Sequence, residues 1–454
     1  MLFPYGKAPF CILVLAVVSG IGVAFTHQRY DGDLVPDLVV ATHARLHADI
    51  YEAKLPAFEA EHGVRVDVQV IDMRTHRARL LAAFSAGTDV PDVIEIPQDG
   101  SLFLRAPISE IGFLDLTDWV EERGLNERLV ENRFSMWQRK GVTFAIPHDV
   151  HPALIAYRAD IVEGELGIDV ERDLTTWDDF ARVAREKIVR DLDGDGTLDR
   201  FALELGPEGG DLLTLLMAQR DVDLFNEEDE VAFDTPEAAE VIMWAVRALY
   251  GPGRFANGFG YGQSMWQGMT DGAILFYMVP DWRTRNVEQY APSLAGKMKL
   301  MKFPAWEPGG RRTSTWGSTG GAIAKRTKNP ELAKKLLEYL YVDQSDGGEA
   351  AVRLHILPPL KEAWDLPAFN QESAYYSGQK IMQMFAEVAN DTPKKYAPPF
   401  REKAEDKRNV VFLEASAYYR EHGEDGFFEA VMASLTTQAD YIRSLQKRTL
   451  IAEQ

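Results

Sequence analysis

A run of alternating oxygen-bearing residues is the sharpest local pattern in the chain: Asp191-Leu192-Asp193-Gly194-Asp195-Gly196-Thr197-Leu198-Asp199. Asp191, Asp193, Asp195, Gly196 and Asp199 fill positions one, three, five, six and nine of an EF-hand calcium loop, with Thr197 between them. Position twelve is Ala202, where such a loop needs a bidentate Glu, and Glu204 is near enough for a variant loop to recruit. Four clustered carboxylates repel one another unless a cation joins them, so a structural calcium away from any ligand site is expected. The plainer reading is a solvated Asp/Gly turn after a helix that ends near Arg190. Catalytic signatures are missing from the sequence. There is no phosphate loop, no Gly-x-Ser-x-Gly elbow and no His-Glu-x-x-His.

Cys11 is the only cysteine and lies at the start of the apolar run Ala8–Phe25. That run, after one basic residue at Lys7, reads as an export leader occupying residues 1–30. Gly22-Val23-Ala24 suits cleavage after Ala24, and retention as an N-terminal anchor is the rival. Either fate puts the body outside the cytoplasmic membrane, periplasmic or extracytoplasmic. The body carries no cysteine, which excludes disulfides and thiol chemistry there. A net charge of −21 argues against nucleic acid and anionic membrane surfaces as partners. The remaining 420 or so residues exceed one ordinary core and call for at least two domains.

Elements that would position a site alternate along the chain. Asp37–Thr42 reads as a strand, Ala48–His62 as a helix bent near Pro56 and stopped by Gly63, and Val64–Val70 as a strand with one buried face. His76–Ala86 is the next helix and Val93–Ile96 the next strand. This order predicts an α/β domain with a largely parallel sheet. Further on, Leu154–Tyr157 and Ala273–Tyr277 read as strands. Thr176-Trp177-Asp178-Asp179 matches a capping box, Thr235-Pro236-Glu237 opens a second helix and Asn329-Pro330-Glu331 caps a third. The last hundred residues look mostly helical. No linker of low complexity divides the chain, so it is expected to cross between domains more than once.

Several segments stand in a set order and spacing: Pro56-Ala57-Phe58-Glu59; Ser85–Val93, a small-Gly-x-x-Pro-Asp-Val turn; Phe113–Thr117; Phe144–Asp149 leading to Ala156-Tyr157-Arg158; Thr175–Phe180; Asp271–Leu275 followed by Trp282; and Gly317–Ala324 followed by Asn329–Ala333. On these segments, the chain from about Asp37 to about Leu445 resembles the extracellular solute-binding proteins of group 1, the sugar-binding components of ABC importers. The resemblance implies a two-lobed periplasmic-binding-protein-like α/β fold, with the ligand in a cleft between lobes and a hinge crossed more than once. Lobe 1 is expected to hold residues 37–149 and about 301–345, and lobe 2 residues 150–300 and about 346–450. The implied partners are a small-molecule ligand, a sugar above all, and the membrane subunits of an ABC transporter, with the binding protein itself a monomer.

A sugar site wants indole or phenol rings for the C–H faces and charged or amide groups for the hydroxyls. Strand-end loops supply both: Thr42, His43 and Arg45; Gln98 and Asp99; His148, Asp149 and His151; Tyr277, then Asp281, Trp282 and Arg283; and Trp316 and Ser318. The predicted ligand-binding set is Trp282, Trp316, Asp149, His148, Arg45, His43, Gln98, Asp99 and Tyr277. Each has a bland alternative: Trp282 and Trp316 can be lobe packing, Asp149 a hinge-side turn, and the histidines ordinary polar loop residues. Trp266 can stack or pack, and Trp177 and Trp244 read as core. Three functions remain open on this reading. They are a transport receptor that makes and breaks no bond and needs no cofactor, a carbohydrate hydrolase built on a carboxylate pair, and a solute-sensing adaptor for a membrane receptor.

Overall fold

The computed structural model describes residues 35–452 apart from 89, 98–99, 106, 261 and 344–347. The proposed leader therefore lies outside the described residues, as do Gln98 and Asp99. Two sheets organise the chain. The first is built from β1 (Leu38–Thr42), β2 (Val66–Val70) and β3 (Val93–Pro97), joined through the helices α1 (Arg45–His62) and α2 (Met73–Ala86). A short hairpin of β4 (Gln138–Arg139) and β5 (Val142–Thr143) precedes β6 (Ile146–Pro147).

β7 (Pro152–Arg158) opens the second sheet. It is followed by helix α3 (Trp177–Val183), β8 (Phe201–Glu204), helices α4 (Gly210–Gln219) and α5 (Pro236–Tyr250), β9 (Ala256–Asn257) and β10 (Ile274–Pro280). Helix α6 (Asp281–Tyr290), β11 (Met298–Met301) and β12 (Ser314–Thr315) come next. The chain then returns to the first sheet as β13 (Thr319–Ile323) and helix α7 (Pro330–Tyr341).

In the first sheet the order is β2-β1-β3-β13-β6. β1 runs parallel to β2 and β3, and β13 is antiparallel to β3 and β6. The predicted parallel start therefore holds, and the two returning strands make the sheet mixed. In the second sheet the order is β11-β7-β10-β8-β9, with β12 also paired to β7. The two sheets form two lobes, and the chain crosses between them at 148–151 and at 316–318.

The expected return to lobe 1 near residue 301 is corrected by this pairing. β11 and β12 both run antiparallel to β7, so the second lobe keeps the chain until Thr315. Residues 357–360 likewise remain with lobe 1 rather than joining lobe 2 at 346. Val130 N donates to Pro359 O at 3.0 Å, and Leu129 bridges Leu360. Later, helix Ile381–Ala389 packs on β7, and α8 (Arg401–His422) and α9 (Phe427–Ala452) pack on α5 in the second-lobe core.

Local sequence explains much of this. Thr176 Oγ1 accepts from Asp179 N at 3.1 Å, capping the start of α3, and donates to Asp179 Oδ2 at 2.9 Å. Thr235 caps α5 ahead of Pro236. Asn329 sits at the cap of α7 without a side-chain bond to it, so Pro330 and the apolar face of the helix set that start instead. Pro56 lies inside α1 without ending it, because Tyr51, Leu55 and Phe58 anchor the helix in the core. β2 is an edge strand with only Val66 buried, so its alternation does not mark a deeply packed face. Trp177 is fully buried and donates to Gln219 Oε1 at 2.8 Å, while Trp244 packs against it at 5.0 Å. Trp177 is core, as expected, Trp244 is partly buried against that core, and Trp266 is buried and stacked on Tyr290.

Candidate functional site

The cleft between the lobes has a volume of about 1100 Å³. Its first-lobe wall comes from the carboxyl end of β1 and the first turn of α1, with His43, Leu46 and His47. Its second-lobe wall is Glu204 at the end of β8, the Gly206–Gly210 loop and Phe259. The crossing segments form the floor with His151, Trp282, Arg283 and Trp316–Thr319. Ligands of open α/β sheets collect at such strand ends.

Trp282 and Trp316 meet edge to face, ring centroids 6.1 Å apart, and Trp282 Nε1 donates to Trp316 O at 3.3 Å. Both rings are half-buried and border the cleft, so each offers an apolar surface to a ligand. The Arg283 guanidinium lies over the Trp316 ring, 4.7 Å from its centre. Beside them, Glu204 is 4 % exposed, and its Oε2 has no hydrogen-bond partner. Burial raises its pKa, against the pull of Arg283. A buried acceptor of this kind is costly unless a ligand donor meets it.

Not every predicted residue reaches the cleft. His43, Trp282 and Trp316 do. Arg45 is exposed on α1 and bonds to Asp49 at 2.8 Å and Glu52 at 2.9 Å, turned away by its helical position. Tyr277 lies within β10, buried, with its hydroxyl unpartnered. Asp149 is fully buried. Its Oδ1 accepts from Thr319 N at 3.0 Å, and its Oδ2 lies 3.1 Å from His151 Nε2 and 3.3 Å from His148 Nδ1. Asp149 thus ties the two crossings together instead of facing ligand. His148 stands behind His47, with ring centroids 4.4 Å apart. Glu204 and His47 lie outside the strand-end candidates, whereas His151 and Arg283 are among those candidates without belonging to the predicted ligand set. A buried acid ending a strand was the one signal for Glu204, and the calcium reading obscured it.

His151 holds the floor. Its Nδ1 lies 2.7 Å from Asp281 Oδ1, and Asp281 Oδ2 accepts from Leu357 N at 2.7 Å. Burial pulls the His151 pKa down, but Asp149 and Asp281 outweigh it and push it up to about 10. Burial likewise works against ionised Asp149, yet His151 and His148 hold it well below the usual carboxylate range. In the first-lobe wall, burial lowers the His43 pKa, while Glu95 raises that of buried His47.

Among the described residues, two groups bring three metal-ligand atoms within 4.8 Å of one another: His47, Glu95 and His148, and Asp191, Asp193 and Asp195. In the second group Asp191 accepts from Gly194 N and Gly196 N, Asp193 from Asp195 N, Asp195 from Thr197 N, and Asp199 from Leu192 N. The loop carboxylates thus accept backbone N–H groups of the loop itself. Glu204 does not complete it, because that side chain lines the cleft.

The sequence profile described as Bacterial extracellular solute-binding protein matches residues 44–346. The chain is 26% identical over 375 residues to an arabinooligosaccharide-binding protein of Halalkalibacterium halodurans, covering 78% of this chain and 79% of that one. It is 22% identical over 424 residues to the protein of the same description from Bacillus subtilis, covering 89% and 94%. The solved structure of the sugar-binding protein MalE from Xanthomonas citri matches 92% of this chain and 99% of that chain, at 18% identity and a TM-score of 0.74. A binding protein associated with an ABC transporter of B. animalis subsp. lactis, in complex with beta-1,6-galactobiose, matches 90% and 97%, at 21% identity and a TM-score of 0.62. These structures confirm the two-lobed fold, and the match over more than half of the sequence places the chain in the bacterial extracellular solute-binding protein family.

Proposed function

We propose that this protein captures an oligosaccharide outside the cytoplasmic membrane, closes its lobes on it about the 148–151 and 316–318 crossings, and presents the closed form to the membrane subunits of an ABC importer. The observation that carries the reading is the Trp282–Trp316 pair on the cleft floor, set beside Glu204 and Arg283. Sugar C–H faces pack on the indoles, and hydroxyls bond to the carboxylate and to polar groups of the rim. The cleft volume of about 1100 Å³ lies just above the usual range of small-ligand sites, which favours several linked sugar rings over one. Both curated relatives are described as binding arabino-oligosaccharides, so pentose oligomers head the candidate ligands. The receptor acts as a monomer and makes and breaks no bond. The Asp191–Asp199 loop is proposed as a structural calcium site remote from this chemistry.

A thermal-shift panel of arabino-, xylo- and malto-oligosaccharides, with recovery of each ligand, tests the proposal. A ligand that binds only the native state raises Tm by mass action. A shift with intact oligosaccharide supports the receptor. A shift with cleaved ligand would replace it with the hydrolase reading.

A further inference from the structure

The open end of the first sheet gathers three imidazoles around one carboxylate. Glu95, fully buried in β3, is the centre. His43 follows β1, the parallel neighbour of β3. His47 lies in the first turn of α1, and His148 follows β6. The topology thus converges four residues from four separate elements.

Three of them, His47, Glu95 and His148, are spaced close to a coordination shell, and His43 stands at its edge beside Glu95. His47 Nδ1 is 3.2 Å from both Glu95 carboxylate oxygens, and His43 Nδ1 is 3.7 Å from Glu95 Oε2. His47, Glu95 and His148 already bring one ligand atom each within 4.8 Å of one another. Tetrahedral zinc with bonds of about 2.0–2.1 Å sets its ligand atoms about 3.4 Å apart, within reach of small side-chain rotations.

The outer partners fit as well. Ligating imidazoles usually give their second nitrogen to a carboxylate, and ligating carboxylates are themselves hydrogen-bonded. His148 Nδ1 lies 3.3 Å from the buried Asp149, which leaves Nε2 to ligate. Glu95 accepts from the hydroxyls of Thr42 and Tyr51.

An ordinary buried Glu–His pair accounts for Glu95 and His47 only. It leaves His43 unexplained. His43 Nδ1 is shielded from solvent and has no hydrogen-bond partner, although it lies beside the same carboxylate. A buried polar atom left unsatisfied in this way is destabilising. A cation shared among the four side chains satisfies it.

We propose that His43, His47, Glu95 and His148 form a binding site for a divalent transition-metal ion of the zinc class, set in the first-lobe wall of the cleft. Three imidazoles and one carboxylate suit such an ion over calcium or magnesium, which prefer all-oxygen shells. His43 and His47 border the cleft, so the ion enters from there. The site stands whatever solute the cleft takes.

The test is titration of the full, tag-free, metal-stripped chain with Zn²⁺ alone, followed by Co²⁺ as a spectroscopic probe. The proposal predicts one tight equivalent, with Kd of roughly 1 μM or below, and the intense visible bands of four-coordinate cobalt. His43→Asn and His148→Asn should each weaken binding by at least about ten-fold, with the fold checked by circular dichroism. His43→Asn is the safer of the two, since Nδ1 holds no hydrogen bond to lose. The absence of stoichiometric zinc binding would overturn the proposal. So would binding unchanged in both variants, or binding lost instead in Asp193→Asn.

Discussion

His151 Nδ1 lies 2.7 Å from Asp281 Oδ1, joining the first crossing to the start of α6 across 130 positions of sequence. The His151 backbone lies in the left-handed region, at φ 52°, which costs a non-glycine residue on the order of 1 kcal/mol. With Asp149 on its other side, the His151 ring sits between two buried carboxylates, one from its own crossing and one from the start of α6.

Stability should therefore fall with alkaline pH. Folding raises the His151 pKa from 6.5 to about 10, so the native state holds a proton that the unfolded chain releases. The stabilisation is complete below pH about 6.5 and is lost as pH rises towards about 10. Urea unfolding at pH 6 and pH 9 should show a loss on the order of 2–4 kcal/mol, and His151→Gln should remove most of that difference. Equal slopes in the variant and the parent would refute the assignment.

Trp282→Ala and Trp316→Ala should each weaken oligosaccharide binding by about ten- to a hundred-fold while leaving the fold intact, since each removes one apolar platform. Calorimetric titration gives the affinity, and circular dichroism checks the fold. Unchanged affinity in both would remove the stacking platform from the account.

Glu204→Gln separates stability from binding. It removes a buried charge whose Oε2 has no partner, so Tm should hold or rise by a few degrees. Oligosaccharide affinity should fall by about ten-fold if Glu204 accepts from a hydroxyl. A lower Tm with unchanged affinity would make Glu204 structural.

Gly321→Ala should be costly. A Cβ there would overlap Tyr341 and Leu337, which pack α7 onto β13. A loss of about 1–3 kcal/mol is expected, read as a lower Tm by differential scanning calorimetry. An unchanged Tm would mean that α7 shifts freely.

Calcium is tested at the Asp191–Asp199 loop. Millimolar calcium should raise the Tm of the parent but not of Asp191→Asn. No calcium response in the parent would leave the loop as the self-bonded turn that its hydrogen bonds already describe.

Much of the architecture was legible because local rules and global fold agree. The Thr176 and Thr235 caps, the Gly63 stop and the buried β3, β7 and β10 all follow from capping and hydrophobic runs. The second crossing was misplaced because β11 and β12 are short and separated by Pro304, Gly309 and Gly310, which break any periodic signal. Trp282, Trp316 and His43 were found at the cleft because strand ends gather there. Asp149 and Arg45 were not distinguishable from cleft residues in sequence. Only the fold shows that one is spent on Thr319 and His151, and the other on Asp49 and Glu52. Glu204 was weighed only as a residue that the Asp191–Asp199 loop could recruit, and the fold is what places it in the cleft.

The central claim is that the cleft holds an intact oligosaccharide. Isothermal titration of the purified protein with arabinotriose, followed by chromatography of the recovered sugar, addresses it most directly. The account predicts one site per chain, Kd of roughly 10 μM or tighter, and sugar recovered unchanged. No binding of arabinotriose or of any other oligosaccharide tried, or recovery of hydrolysed sugar, would contradict it.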